Sequence, residues 1–147
     1  MSEEPIPYDA YFVEPDGACL APMAAMLLAK YSEGRYRAAS GGVRPAMEAD
    51  PRAVAALVRL GVTETPVPSP KLGVRAMLAV KTVVSVTGCR VTELLPVGYA
   101  GGMIEWRLPD PKGTDADRFG KLVRQLEDKV RQLIRDFDRA KRNFSAM

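Results

Sequence analysis

The chain has 147 residues, of which 47% are hydrophobic and 27% are charged, a composition that fits one globular domain with a buried core. Its net charge of +3 is too small and too dispersed to indicate a nucleic-acid-binding surface. Because the chain contains no histidine, catalysis by Ser-His or Cys-His pairs and histidine-rich metal sites are excluded.

The cysteine content and the amino terminus bear on where the protein works. Two cysteines, Cys19 and Cys89, are too few for a zinc site or a secreted disulfide framework. The start, Met-Ser-Glu-Glu-Pro, lacks the parts of a secretory signal, and no apolar run reaches the roughly 18 residues that span a bilayer. We therefore expect a cytoplasmic protein without a membrane segment.

Strand and helix patterns alternate along the chain between a flexible lead-in over residues 1–7 and a frayed tail over 139–147. In chain order we expect a strand over 8–13, a helix from Pro22 to about Tyr31, a strand over 36–40, a helix opening at Asp50 and Pro51 and ending at Gly61, a short helix from Ser69 to Ala79, a strand over 82–86, a loop over 88–103, a strand near 104–106, and a helix from Asp115.

The pattern that begins at Asp115 is the clearest in the sequence, because apolar residues recur there at steps of three and four. These residues are Phe119, Leu122, Val123, Leu126, Val130, Leu133, Ile134 and Phe137. The basic residues of this helix are interleaved with acids, which favours a solvated face over a surface for an anionic partner. They include Arg131, Arg135, Arg139, Lys141 and Arg142.

Alternation of strands and helices predicts an α/β domain, in which a small parallel sheet lies between layers of helices. Ligands of such sheets bind at the carboxyl ends of the strands. In this chain that edge carries the loop after the first strand, the loop after Val86 and the turn at Asp110.

Several segments occur in an order that matches a known family. They are Phe12-Val13 leading to Ala21-Pro22-Met23-Ala24, Ala39-Ser40-Gly41, Asp50-Pro51, Val83 to Val86, and Trp106-Arg-Leu-Pro-Asp-Pro111. In these segments the chain resembles the low-molecular-weight protein tyrosine phosphatases and the thioredoxin-coupled arsenate reductases. The resemblance implies a three-layer sandwich with a four-stranded parallel sheet in flavodoxin-like order, a long C-terminal helix and one domain over 1–147.

Members of that family carry a loop with a cysteine, five further residues, an arginine, and a serine or threonine. Backbone N–H groups at a helix N-terminus hold the oxyanion, the arginine grips it, and the cysteine attacks as a thiolate. In this sequence the nucleophile position is Glu14, the arginine position is Leu20 and the hydroxyl position is Ala21. The resemblance therefore implies a degenerate loop that lacks the chemistry of the family.

The residues around Glu14 also disfavour an anion. Pro15 removes one N–H group, and Glu14 and Asp16 add carboxylates that repel phosphate. No other register restores the motif, because the position six residues after Cys19 is Ala25 and that after Cys89 is Leu95.

Three positions keep a likeness to the family. Gly17 lies where the family has an asparagine in a left-handed conformation, and Cys19 matches the second cysteine of the arsenate reductase loop. Asp110 matches the general acid, either as a vestige of that role or as a turn residue held by Pro109 and Pro111.

Cys19 and Cys89 are also redox candidates, because both are expected on loops at one edge of the sheet. They form either a reversible disulfide or two inert thiols. The arsenate reductase relay is incomplete, since Thr87 stands near its first cysteine position and no cysteine follows Cys89. Glu14, Asp16 and Asp110 form either an oxygen-ligand cation site or ordinary turn and cap residues, and the latter, with no metal, is favoured.

Three hypotheses for function follow. The favoured one is a catalytically inactive phosphatase-like protein, a pseudophosphatase that acts as a binding or regulatory module without a cofactor. The second is an enzyme that uses Glu14 as base or nucleophile and Asp110 as acid. The third is a protein partner or weak homo-oligomer that makes contact through Val97, Tyr99, Met103 and the tail 143–147.

Overall fold

The structure is a computed structural model that describes residues 8–62, 64–66 and 68–145. Strands and helices alternate through most of this part of the chain. They are β1 (Ala10–Glu14), α1 (Leu20–Tyr31), β2 (Ala38–Gly42), α2 (Pro51–Arg59), α3 (Val74–Ala79), β3 (Thr82–Ser85), α4 (Val91–Leu94), β4 (Gly102–Glu105) and α5 (Ala116–Ser145).

The four strands form one parallel sheet in the order β2-β1-β3-β4. In β1, Val13 lies opposite Gly41 of β2 and Ser85 of β3, which places the carboxyl ends of the three strands at one edge. This topology confirms the predicted parallel sheet and its flavodoxin-like order.

The two faces of the sheet bury separate clusters because successive side chains of a strand point to opposite faces. Ala10 and Phe12 of β1 pack on one side, against α1, α2 and α5. Tyr11 and Val13 pack on the other side with Met77 of α3. Helices on both faces make the three-layer sandwich that the sequence predicts.

Helix α5 covers the sheet on the side of α1, and its apolar stripe is the one predicted from the sequence. Leu126 and Val130 are fully buried in the main core. A hydrogen bond of 2.6 Å from the Tyr31 hydroxyl to the Glu127 carboxylate joins α1 to α5. The helix continues to Ser145, so it includes most of the segment expected to fray.

The short helix expected from Ser69 begins later, at Val74, and this part of the prediction is wrong. Ser69 is buried, and its hydroxyl donates to Ser40 Oγ at 2.7 Å instead of capping a helix. The next residues pair with the end of β2, where Gly42 N–H donates to the Pro70 carbonyl and Leu72 N–H donates to the Gly42 carbonyl. Tertiary pairing thus competes successfully with local helix formation.

Other boundaries shift by a few residues. The segment expected as a continuous loop, 88–103, contains α4 and the start of β4. Gly41 and Gly42, expected to close the second strand, belong to β2, where Gly41 packs directly against the Tyr11 side chain. The lead-in over 1–7 and the last two residues of the tail lie outside the described residues.

Candidate functional site

The loop between β1 and α1 lies at the carboxyl edge of the sheet, where ligands of this architecture bind. Strand β1 ends at Glu14 and helix α1 begins at Leu20. The segment from Glu14 to Leu20 holds five of the seven site residues predicted from the sequence. The backbone amides at the start of α1 face the end of the strand.

The Glu14 carboxylate lies directly against these amides. Its Oε1 accepts hydrogen bonds from the N–H groups of Cys19 at 3.1 Å and Ala21 at 3.2 Å, and its Oε2 accepts one from Leu20 at 3.0 Å. The residue before the helix, Cys19, makes no side-chain cap of its own. Glu14 therefore caps α1 from the preceding strand, where a helix N-terminus favours negative charge.

Glu14 is one of the few buried charged side chains, with 2% of its surface exposed. Burial raises the pKa of Glu14 above its usual value, because desolvation penalises the charged form. The three N–H donors act in the opposite direction, and the charge of Asp16 adds to the increase. Three backbone hydrogen bonds thus hold the carboxyl group in a buried position where desolvation disfavours its charged form.

Asp16 and Gly17 shape the rest of the loop. Asp16 Oδ1 accepts the Ala18 N–H at 3.0 Å, and Oδ2 lies 3.4 Å from the ammonium of Lys112. Gly17 has a φ of +62°, and a Cβ there would lie 2.6 Å from the Ser69 Cβ. Only glycine fits this left-handed position without moving its neighbour.

Cys19 and Leu20 are both buried, but in different surroundings. Burial raises the pKa of the Cys19 thiol, and the nearby carboxylates of Glu14 and Asp50 add to the effect. Leu20 is fully buried within the main core. Leu20, which the resemblance matches to the family's arginine, therefore contributes hydrocarbon packing in this chain.

Asp110 lies in an exposed turn at the same edge of the sheet. Its Oδ1 accepts the Lys112 N–H at 2.9 Å, a contact typical of an aspartate-stabilised turn. This contact is local, and no hydrogen bond joins Asp110 to Glu14 among the described residues. The two carboxyl groups proposed as an acid and base pair therefore each make their own local contacts.

Arg52 of α2 fixes the turn that carries Asp110. Its guanidinium pairs with Asp50 at 3.0 Å, donates to the Pro111 carbonyl at 2.9 Å, and donates to the Thr114 carbonyl at 3.1 Å and hydroxyl at 2.9 Å. It also lies 4.5 Å from the centre of the Phe119 ring. The sequence analysis identified Asp50 as a helix cap but missed Arg52, because its partners are distant in sequence.

Cys89 is a half-buried free thiol on the loop after β3, and Cys19 is also free. Burial raises the pKa of the Cys89 thiol, and the charge of Glu14 adds to this. The Ser85 hydroxyl donates to the Cys89 carbonyl. The structure brings no three acidic or cysteine side chains into a metal-binding group within the described ranges, so Glu14, Asp16 and Asp110 do not converge there.

The sequence analysis also missed the internal contact of Glu14. The roles predicted for the Glu14 carboxylate were repulsion of an external anion, catalysis as base or nucleophile, and cation binding. An available signal was the position of Glu14 at the start of the short loop that leads into the predicted helix, because helix N-termini attract carboxylates.

The comparisons with known proteins agree with this architecture. The family described as low molecular weight phosphotyrosine protein phosphatase matches residues 9–143. No curated protein sequence matches the chain. Throughout the described residues, no helix has the length and apolar character needed to cross a bilayer.

Solved structures similar to this chain include two phosphatases and a reductase. One is a low molecular weight phosphotyrosine phosphatase from Vibrio cholerae O395, with a TM-score of 0.77, 15% identity, and coverage of 89% of this chain and 97% of that one. Another is the YwlE arginine phosphatase from Geobacillus stearothermophilus, with a TM-score of 0.73, 21% identity, and coverage of 92% and 96%.

The third is a thioredoxin-dependent arsenate reductase from Corynebacterium glutamicum, with a TM-score of 0.74 and 21% identity. The match covers 95% of this chain but only 65% of that enzyme. At these identities the likeness establishes the fold, while the family match over residues 9–143 establishes descent. The chain therefore belongs to the low molecular weight phosphotyrosine protein phosphatase family.

Proposed function

We propose that this protein is a catalytically inactive member of its family, a pseudophosphatase that acts as a binding or regulatory module. The observation that carries the proposal is the Glu14 carboxylate, which accepts hydrogen bonds from three N–H groups at the start of α1. These donors are the type that a phosphate needs in this kind of loop. In this chain an internal anion engages them.

An external oxyanion would have to displace Glu14 before it could bind. The carboxylate is attached to the same chain, so its effective concentration at the amides is far above that of a dissolved ligand. Asp16 contributes a second negative charge nearby, and Leu20 offers no guanidinium to compensate. Competition and charge both act against phosphate.

The thiols of the loop region do not supply a substitute nucleophile in this proposal. A cysteine attacks as its thiolate, and burial raises the pKa of both Cys19 and Cys89. Cys19 is also 2% exposed, so a substrate has little access to its sulfur. These features favour inert thiols over a redox pair.

The competing hypothesis is an enzyme that uses Glu14 and Asp110. The raised pKa of Glu14 favours it, because general acids and bases often have perturbed pKa values. The contacts of both residues weigh against it, since the Glu14 oxygens bind backbone amides and Asp110 accepts the N–H of Lys112. We therefore retain it as the alternative.

Turnover assays separate the two hypotheses. We expect no hydrolysis of an aryl phosphate and no thiol-dependent reduction of arsenate by the wild-type protein, with a catalytically competent phosphatase of the same fold as positive control. The exposed carboxylate of Glu48 offers a matched control, so Glu48→Ala and Asp110→Ala are assayed side by side. Turnover that Asp110→Ala abolishes and Glu48→Ala spares would overturn the proposal.

A binding module requires a partner, and this partner is either a second copy of the chain, bound weakly, or a different protein. Val97 is fully exposed and Met103 is half exposed, while the Tyr99 hydroxyl donates to the Gly102 carbonyl at 2.6 Å. Light scattering over a concentration series tests self-association. A strict monomer at high concentration removes self-association and leaves a foreign protein as the partner.

A further inference from the structure

The C-terminal end of α5 lies near the edge of the sheet opposite Glu14. Residues 139–144 are all exposed, in contrast to the buried stripe earlier in the helix. Phe144 follows Phe137 by two helical turns, so both lie on the same face of α5. Phe137 is half buried, but Phe144 is 81% exposed. Among the described residues, the core-facing stripe thus continues beyond those that cover it.

A groove of about 510 Å³ runs along this uncovered face. Its apolar lining comes from Tyr36, Phe137, Ala140 and Phe144, and the rings of Tyr36 and Phe137 pack with centres 5.0 Å apart. The volume falls within the range of ordinary ligand and peptide pockets. The groove therefore has room for one or two apolar side chains of a partner.

The rim of the groove is mainly basic. Arg35 pairs with Asp138 at 3.0 Å, and Lys81 pairs with Asp9 at 3.2 Å. Lys141 makes no ion pair with any described residue, and its ammonium lies 5.6 Å from the centre of the Tyr36 ring.

Two further cations extend this charge. Arg37 lies over the Tyr8 ring at 5.8 Å, and Arg142 is close enough to lower the pKa of Asp138, which responds chiefly to its hydrogen bond from Tyr36. Five cations therefore surround two carboxylates.

We propose that this groove binds an acidic segment of a partner protein, with an aromatic or branched apolar residue inserted between Phe137 and Phe144. The carboxylates of the segment complement Lys141 and the cations that flank it. The apolar residue covers the exposed continuation of the α5 stripe.

Other occupants fit these observations less well. A second copy that paired through the same groove would bring two basic helix ends together, with Arg139, Lys141 and Arg142 of each copy in proximity. A nucleic acid would bring phosphates to the cations but leave the apolar lining of Phe137, Ala140 and Phe144 uncovered. The acidic segment satisfies both the charge and the apolar floor.

Fluorescence anisotropy tests the inference on the full chain. The probe is a labelled synthetic peptide in which glutamates flank a tryptophan and a leucine, and a second peptide carries glutamine at each glutamate position. We expect saturable binding of the acidic peptide that is about tenfold weaker after Lys141→Glu or Phe144→Ser. Lys121→Glu and Met47→Ser are matched controls on exposed residues away from the groove and should leave binding unchanged.

Four results would overturn the inference. They are the absence of saturable binding, equal weakening by Lys121→Glu, tighter binding of a single-stranded oligonucleotide than of the acidic peptide, and a dimer that Phe144→Ser dissociates. The assay has no catalytic readout, so its outcome is independent of the proposed pseudophosphatase.

Discussion

The two ends of the sheet differ in how their charges are satisfied. At the carboxyl edge, Glu14 accepts three backbone hydrogen bonds, and Arg52 pairs with Asp50 and donates to Pro111 and Thr114 beside Asp110. At the opposite edge, Lys141 has no ion pair within the described ranges and Phe144 is largely exposed. The carboxyl edge is thus held by contacts within the chain, whereas the opposite edge leaves Lys141 and Phe144 exposed.

Replacement of Glu14 removes the acceptor of three backbone N–H groups at the carboxyl edge and should have the largest effect on stability. Glu14→Ala leaves the N–H groups of Cys19, Leu20 and Ala21 buried without an acceptor and opens a cavity beside them. We expect the free energy of unfolding to fall by about 3 kcal/mol. Urea denaturation measures this loss.

Glu48→Ala is the matched control for that experiment, because Glu48 is an exposed carboxylate on a neighbouring loop. It should change the free energy of unfolding by less than about 0.5 kcal/mol. A Glu14→Ala protein as stable as the wild type would show that the three hydrogen bonds contribute nothing.

Removal of the Arg52 guanidinium tests the second fixed feature of this edge. Arg52→Ala loses the hydrogen bonds to Pro111 and Thr114 and the contact with the Phe119 ring. The expected loss in the free energy of unfolding is about 2 kcal/mol, because charge-assisted hydrogen bonds to buried groups are stronger than neutral ones.

Two further variants sharpen this result. Arg52→Lys keeps the charge but cannot reproduce the forked contacts, so we expect it to recover only part of the lost stability. Arg59→Ala removes an exposed arginine from the same helix and should have little effect. Equal stability of Arg52→Ala and Arg59→Ala would contradict the role of Arg52.

The pH dependence of stability should show a smaller effect of Glu14. Its pKa in the folded protein is raised above the ordinary value of 4.5 by burial. A raised carboxyl pKa means that the folded state binds the proton more tightly than the unfolded state. The contribution of Glu14 is therefore fullest below pH 4.5 and decreases as the pH rises through the folded pKa.

Comparison with Glu14→Gln isolates this contribution. The free energy of unfolding is measured for both proteins by urea denaturation from pH 4 to pH 8. The value for the wild type should decrease relative to that for the variant as the pH increases. If the wild type instead becomes more stable relative to the variant as the pH increases, the three N–H donors lower the pKa of Glu14 by more than desolvation raises it.

The smallest expected effect concerns the two thiols, which should differ in their rates of reaction while the fold stays intact. Cys19 is 2% exposed and Cys89 is half buried, and burial raises the pKa of both. We expect one thiol per native chain to react slowly with a chromogenic disulfide reagent and the second to react only after unfolding. Cys89→Ser should abolish the reaction of the folded protein. Rapid reaction of Cys19 in the folded protein would contradict its burial in the loop between β1 and α1.

Local and periodic features allowed much of the fold to be predicted. The stripe from Phe119 to Phe137 fixed helix α5, and the β-branched run before Val86 indicated a buried parallel strand. Predictions that depended on distant partners failed, as at Ser69, which bonds to Ser40 instead of starting a helix. The sequence places a loop between the first strand and the first helix, but it does not show that Glu14 accepts three N–H groups there, because backbone geometry decides these contacts.

The most direct test of the account is a calorimetric titration of inorganic phosphate into the wild-type protein and into Glu14→Ala. If the Glu14 carboxylate takes the place of an anion, the wild type should give no binding heat. The variant should bind with a dissociation constant on the order of 1–10 mM, because its amides are released. Phosphate binding to the wild type that is as tight as binding to the variant would contradict the central claim.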